Sequence, residues 1–461
     1  MKSVALALIS SVVVLSPLAD AQSSRNAALL GRFDPGSSYS DIWGYAAPNG
    51  KEYALLGERA GVYVVDCTDP SNPTQRGFFP SAASSARDIK TYRHYAYATS
   101  EDSGGTQIID LSNPDSPRLV KTWGQAFWSN AHNVAIDTQT GTLYPCGTNV
   151  GMVVVDLSQD PENPRRITSY GSNYVHDLHI QDGVAYLCEI FSGRFRAMDV
   201  SNLPALSTLS TGTVTVCHNS WASRDNQILA LTSETAGPGM TIFDISNVRN
   251  PRQISTWRTT AAAMIHNVFL RDRVAYISYY GDGFHAVDCS DGANPRQVAF
   301  YDTSAAWGVY PFQPSGTMYV SDMSRGLHVI STRASTRLYG AATAAGQGAA
   351  PSIHTFGAAY AGNSNFKLEI EGLRANVTAT LLLGVAQANL NAGGLSIAID
   401  PTRPMLSASV TTDATGAAAI SIPIASSAPS LKLYAQFVAT DPAGPLGLVA
   451  SRGLEFEIFS P

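Results

Sequence analysis

Residues 265–295 read IHNVFLRDRVAYISYYGDGFHAVDCSDGANP, and the pattern inside them recurs along two thirds of the chain. Its centre is Gly-x-x-apolar-apolar-Asp, here Gly283 to Asp288. Upstream the same form spans Gly61 to Asp66, Gly105 to Asp110, Gly151 to Asp156, Gly193 to Asp199 with one extra residue, and Gly239 to Asp244. Downstream, Gly326 to Ser331 is a seventh copy that closes on Ser. The closing residues 66, 110, 156, 199, 244, 288 and 331 are 44, 46, 43, 45, 44 and 43 residues apart, a regular period that marks a repeat architecture.

Each copy has the same neighbours. A short strand precedes it, as at Tyr53 to Leu56, Tyr95 to Ala98, Val184 to Leu187 and Val274 to Ile277. An Asn-Pro or Ser-Pro turn usually follows, as at Asn72-Pro73, Ser116-Pro117, Asn163-Pro164, Asn250-Pro251 and Asn294-Pro295, and leads into an alternating strand such as Arg252 to Trp257. A further strand opens on Asp or Asn at positions 41, 88, 133, 177, 219 and 267. Four short antiparallel strands, repeated seven times, predict an all-β fold: a seven-bladed β-propeller, whose radial closure protects the strand edges that an open sheet exposes. A solenoid is the alternative, and the termini favour the ring. Ala27 to Phe33 reads as a lone strand and the seventh repeat lacks a fourth strand after Ser331, so the N-terminal strand can complete the last blade. The propeller is expected over residues 22–335.

Composition agrees with many turns between many strands: 461 residues, 44% hydrophobic and 14% charged, with 38 Gly and 25 Pro. With 24 Arg, 6 Lys and a net charge of −6 there is no basic block to neutralise a phosphate backbone, which argues against nucleic acid as a partner. Lys2, the apolar run Val4 to Leu15 and Ala19-Asp20-Ala21 together form a signal peptide over residues 1–21. The mature chain, from Gln22, has no apolar run long enough to be a transmembrane segment, so an exported protein, extracellular or at the cell surface, is expected. Export permits disulfides; of five cysteines, Cys188 and Cys217 are the expected pair, because the repeat places them on neighbouring blades.

The runs DIWGYAAPNGKEYALLGERAGVYVVDCTDPSNP from Asp41, RDIKTYRHYAYATSED from Arg87, AHNVAID from Ala131 and WGVYPFQPSGTMYVSDMSRGLHVI from Trp307, with the stretch from Ile265, resemble the choice-of-anchor B family of exported bacterial proteins built from LVIVD-type repeats. The resemblance covers almost all of residues 41–331 and implies a seven-bladed propeller outside the cell, carried on a C-terminal anchor. It implies no catalytic residues.

After Ser331 the period stops. Residues 336–363, rich in Ala and Gly, read as a linker or irregular lead-in, and residues 364–461 as an immunoglobulin-like β-sandwich domain of seven strands: Phe366 to Ile370, Ala379 to Val385, Leu395 to Ile399, Leu406 to Val410, Ala417 to Ile424, Leu431 to Val438 and Leu454 to Ile458. Tyr339-Gly340, Leu381 to Gly384 and the turn Thr412 to Gly416 resemble a small C-terminal domain of secreted planctomycete proteins.

In a four-stranded meander the start of the first strand and the end of the second lie at the same face of the ring. That brings Asp88, Asn133, Asp177, Asn219 and Asn267, with His132, His176, His218 and His266 one residue earlier, toward Glu101, Glu189 and Glu234. Imidazoles beside carboxylates suit a divalent metal ion of the zinc, iron or manganese kind, and a metal-bound water could attack an ester or phosphate. Trp128, Trp221 and Trp307, with Trp43, Phe191, Tyr279 and Tyr280, are expected at the same mouth, where aromatic faces would suit a sugar. A repeat copies structural residues as readily as functional ones, so the Asp and Asn positions could equally hold turns and the histidines pack between blades. No Gly-x-Ser-x-Gly, Walker A, His-Glu-x-x-His or Cys-x-x-Cys motif occurs.

The first expectation is therefore a non-enzymatic binding protein with an envelope component, glycan or protein as partner. The second is a metal-dependent hydrolase that uses the histidines as ligands and Glu101, Glu189 or Glu234 as general base. The third is a purely structural envelope protein.

Overall fold

The structure, a computed structural model, describes residues 23–171, 173–260, 262–345 and 348–461. The expected signal peptide lies outside the described residues. The protein is all-β, and residues 24–332 form six four-stranded antiparallel sheets and one of five strands. The first sheet runs Tyr39–Ala46, Glu52–Glu58, Gly61–Asp66, Thr74–Pro80, each strand paired with the next.

The repeated hexapeptide is the third strand, and its two fixed residues have separate jobs. Gly105, Gly151, Gly193, Gly239, Gly283 and Gly326 all adopt positive φ, between 61° and 86°, at the tight turn from the second strand, where a side chain would be strained. The terminal Asp closes the next turn: Asp66, Asp110, Asp156, Asp199, Asp244 and Asp288 accept the backbone N–H two residues on, at 2.7 to 3.1 Å. Ser331 replaces it where the chain leaves the repeat.

Each inner strand touches the inner strand of the next sheet, and Ala306–Tyr310 returns to Tyr39–Ala46, so the sheets form a closed ring. A buried apolar cluster fills each junction: Leu55 and Val64 of the first sheet meet Ile89 and Ala96 of the second, and Ile42 and Leu56 meet Tyr319 and Val329 of the last. Sheets covered on both faces read as apolar runs; Glu52–Glu58 is buried throughout. At the closing junction an added Cβ on Gly44 would lie 2.1 Å from the Tyr310 ring, so only glycine admits that approach. Ala27–Phe33 pairs antiparallel with Gly326–Thr332, supplying the outer strand of the last sheet.

The region after the ring has its own core around Phe366, Leu381, Phe437 and Phe456. Its main sheet has the order Arg337–Tyr339, Gly453–Ile458, Leu431–Thr440, Thr378–Gly384, Met405–Thr411; a second holds Ser352–Phe356, Lys367–Glu371 and Ala418–Ser421. Within the stretch expected as a linker or irregular lead-in, Arg337–Tyr339 and Ser352–Phe356 contribute a strand to each sheet, and Gly357 and Ala358 dock on the ring. Gly357 donates to the Asp272 carbonyl at 2.7 Å and Ala358 to the Asp288 carboxylate at 2.6 Å. Small residues there serve close approach; Gly357 has φ +83° and a Cβ would lie 2.7 Å from Ser290. Arg224 pairs with Glu369 and Glu371 across the same junction.

Candidate functional site

The inner strands open at one mouth of the ring, and two layers of the repeat line it there. The Asp and Asn layer is largely spent on the fold. Asp88 accepts Val134 N–H at 2.8 Å and Asn219 accepts Val268 N–H at 2.9 Å, each from the next sheet around the ring. Asn219 Nδ2 donates to Asp177 at 2.8 Å and Asn133 Nδ2 to the His176 carbonyl at 3.2 Å. Lys90 forms ion pairs with Asp88 and, at 3.6 Å, with Asp41. Burial, then the Asp88 charge, pushes Asp41 well up and Asp177 up to about 6. Burial raises Asp88, but the Lys90 charge and the hydrogen bonds with Asp41, Lys90 and Val134 N–H together hold it below the usual carboxylate range. Among these residues the Oδ1 atoms of Asp41 and Asn267 have no partner.

One residue earlier the four histidines form a row. Ring centroids are 4.3 Å apart for His132 and His176, 4.5 Å for His176 and His218, and 4.4 Å for His218 and His266. The neighbours that flank this row are acidic or aromatic. Glu101 bonds His132 Nδ1, Glu234 lies 3.5 Å from His218 Nε2, and Tyr280 donates to Glu234 at 2.6 Å. His266 Nδ1 lies 2.5 Å from the Trp307 carbonyl. His176 Nε2 and His218 Nδ1 are buried with no partner.

Burial and the neighbouring imidazoles push His176 and His218 well below the ordinary histidine range, and burial takes His266 to about 3. His132 goes the other way: burial opposes its charged form, but the Glu101 bond and charge outweigh it. Neutral imidazoles with unused nitrogens are the state that ligates a metal. Donor atoms of His132, His176 and His218 lie within 4.8 Å of one another, as do those of His218, Glu234 and His266. A cavity of about 330 Å³ opens beside the row, lined by Glu101, His132, His176, Tyr174, Phe191 and Trp307.

Several expected members sit elsewhere. Glu189 is turned into a pair with Arg196 at 2.6 Å; burial raises it, but the Arg196 bond and charge, with Asn173 and Ser192, hold it below the usual carboxylate range. Trp128 is buried at a sheet junction against Trp123, a wedge rather than a platform. Tyr279 likewise lies in a junction, beside Trp257. Trp221 and Trp43 lie at the opposite end of the axis with Phe269 and Phe312. Strand geometry explains this: Trp221 is two residues beyond Asn219 on the same strand face, about 6.6 Å further down. Trp307 does stand at the mouth, 4.7 Å from His266. Cys188 and Cys217 meet as expected, but all five cysteines are free buried thiols, and burial pushes Cys188 well up. Lys90 was not foreseen; the Asp88-x-Lys90 spacing, which puts both on one strand face, is the signal that could have found it.

No curated protein matches the chain. Residues 83–123, which include all four strands of the second sheet, are similar to the LVIVD repeat, a repeat that fits the ring of four-stranded sheets seen here.

Proposed function

We propose that the chain is an exported, seven-bladed β-propeller of the choice-of-anchor B kind, attached or extended by a C-terminal β-sandwich, that binds its partner at a mouth armed with a divalent metal ion. Support for seven blades comes from the closed sequence of inner-strand contacts, and for export from the composition of residues 1–21. The observation that carries the functional reading is the row of four histidines with two unpartnered buried nitrogens, His176 Nε2 and His218 Nδ1. The nitrogen-rich set of His132, His176 and His218 suits zinc, or iron or manganese, better than calcium. Three imidazoles from His132, His176 and His218 would leave a coordination position facing the cavity, where a glycan hydroxyl or a carboxylate of an envelope component or protein could bind.

A second reading, metal-dependent hydrolysis, is favoured by one feature: Glu101 stands against His132 and Glu234 against His218, within reach as general base.

Elemental analysis of the mature protein, purified without a histidine tag, tests the site. The expected result is one transition metal per chain, absent when His132, His176, His218 and His266 are all changed to Ala. No metal in either sample overturns the proposal. Hydrolysis of ester or phosphate substrates by the loaded protein, lost in Glu101→Gln or Glu234→Gln, would move the second reading to first.

A further inference from the structure

The far end of the ring carries a second cavity that the metal row does not reach. Its volume is about 400 Å³, within the range of small-molecule sites, and inner strands of most sheets contribute to it. Trp43, Trp221, Tyr310 and Phe312 form aromatic walls, with Ala135 and Leu178 completing the apolar lining. A neighbouring cavity of about 370 Å³ shares His179, Gln181, Trp221 and Phe312 and is covered by Ile353 and His354 of the C-terminal region. The C-terminal region thus lies over part of this end of the ring while the other part stays open past Thr138 and Gln139, which are exposed.

Inside, His179 keeps one nitrogen unbonded although the Gln181 side chain stands beside its ring. His179 is 8% exposed, its ring lies against Trp221 at 4.1 Å, and its Nε2 has no partner. A buried imidazole nitrogen in an aromatic pocket costs stability until something bonds to it. Burial holds His179 neutral, with its pKa lowered to about 4, so it offers one hydrogen bond and no charge.

The charges around the cavity define what enters. The one cation in its lining, Lys90, is engaged by Asp88 and Asp41 and lies 4.5 Å over the Trp43 ring. Asp137 and Asp182 stand at the opening, so an anion is repelled there. A cation would have to enter beside the Lys90 ammonium.

We infer that this cavity binds an uncharged ring compound bearing hydroxyl groups, with one hydroxyl bonded to His179 Nε2 and the ring held among the aromatic walls. A pyranose unit and a phenol share this chemistry. The inference is independent of the metal proposal, because its residues lie on the other side of the Asp and Asn layer.

Titration calorimetry on the mature protein distinguishes the two sources. The probes are cellobiose, maltose and diacetylchitobiose for pyranoses, vanillyl alcohol for phenols, and glucuronate as an anionic control. Saturable binding in one neutral arm is expected. It should weaken by about tenfold or more in His179→Phe, which keeps a ring but removes the hydrogen bond, and be unchanged when the four mouth histidines are replaced. Gln139→Trp, an exposed position at the opening, should weaken binding without touching the interior, which keeps the test sound if His179→Phe fails to fold. Absence of saturable binding in both neutral arms, equal binding of glucuronate, or full binding in Gln139→Trp would overturn the inference.

Discussion

The histidine row and the Asp and Asn layer are one residue apart in the same repeat, yet they meet different fates. Asn219 uses both ends of its amide, one for Val268 N–H and one for Asp177, and so laces three sheets together. His218, its neighbour in sequence, is as deeply buried but leaves Nδ1 unbonded. In the Asp and Asn layer the copied residue spends most of its polar atoms lacing neighbouring sheets. Asp41 and Asn267, each with one unbonded oxygen, show that the division is strong but incomplete.

The largest effect is expected from breaking the lacing layer. Asn219→Ala removes two buried hydrogen bonds and strands the Val268 N–H and an Asp177 oxygen, which should cost about 2–4 kcal/mol in denaturant unfolding. His218→Phe in the metal-free protein should stay within about 1 kcal/mol, since it fills the same space with no orphan nitrogen, while abolishing metal uptake. If the two variants lose equal stability, the distinction between the layers fails.

Acid sharpens the comparison further. His179, His285 and His328 lie outside the row, and burial lowers each to about 4. Their unfolded pKa is 6.5, so below it the unfolded chain binds more protons than the folded one. Their stabilisation is complete above pH 6.5 and is lost as pH falls toward 4, at about 1.4 kcal/mol per pH unit for each group. Unfolding measured across that window in His218→Phe should lose only the share of the slope that the lowered His218 contributes and keep the share of these three; a larger loss would assign the acid sensitivity to the mouth instead. The smallest effect belongs to Phe191, 83% exposed at the lip of the mouth cavity. Phe191→Ala should change stability by no more than about 0.5 kcal/mol and alter only what the mouth retains.

Much of this architecture was legible beforehand because repeats state their structure many times over. The recurring Gly and Asp of the third strand, seen six times, each answer a turn that only such residues satisfy. The lone strand at Ala27 to Phe33 and the missing strand after Ser331 pointed to their own pairing. The row of His132, His176, His218 and His266 was legible for the same reason, as one register position repeated. Less legible were side chains whose environment depends on the depth they reach. Trp221 and Trp128 look alike in sequence to Trp307, but strand direction carries the first to the far end and a sheet junction absorbs the second. Glu189 matches Glu101 in register, and only the presence of Arg196 on the adjacent strand removes it from the mouth. Ala and Gly in residues 336–363 looked like slack, whereas their small size is what lets the chain press against Asp288 and Ser290.

The amino-acid sequence by itself determined the repeat, its strands, its turns and which residues share a register, because these depend on local geometry and a period that any stretch of the chain displays. Tertiary structure alone decided which registered residues keep free polar atoms, where along the axis each aromatic ring lies, and what the C-terminal region covers. Those outcomes depend on partners some forty or more residues away, whose distance and orientation exist only once the ring has closed.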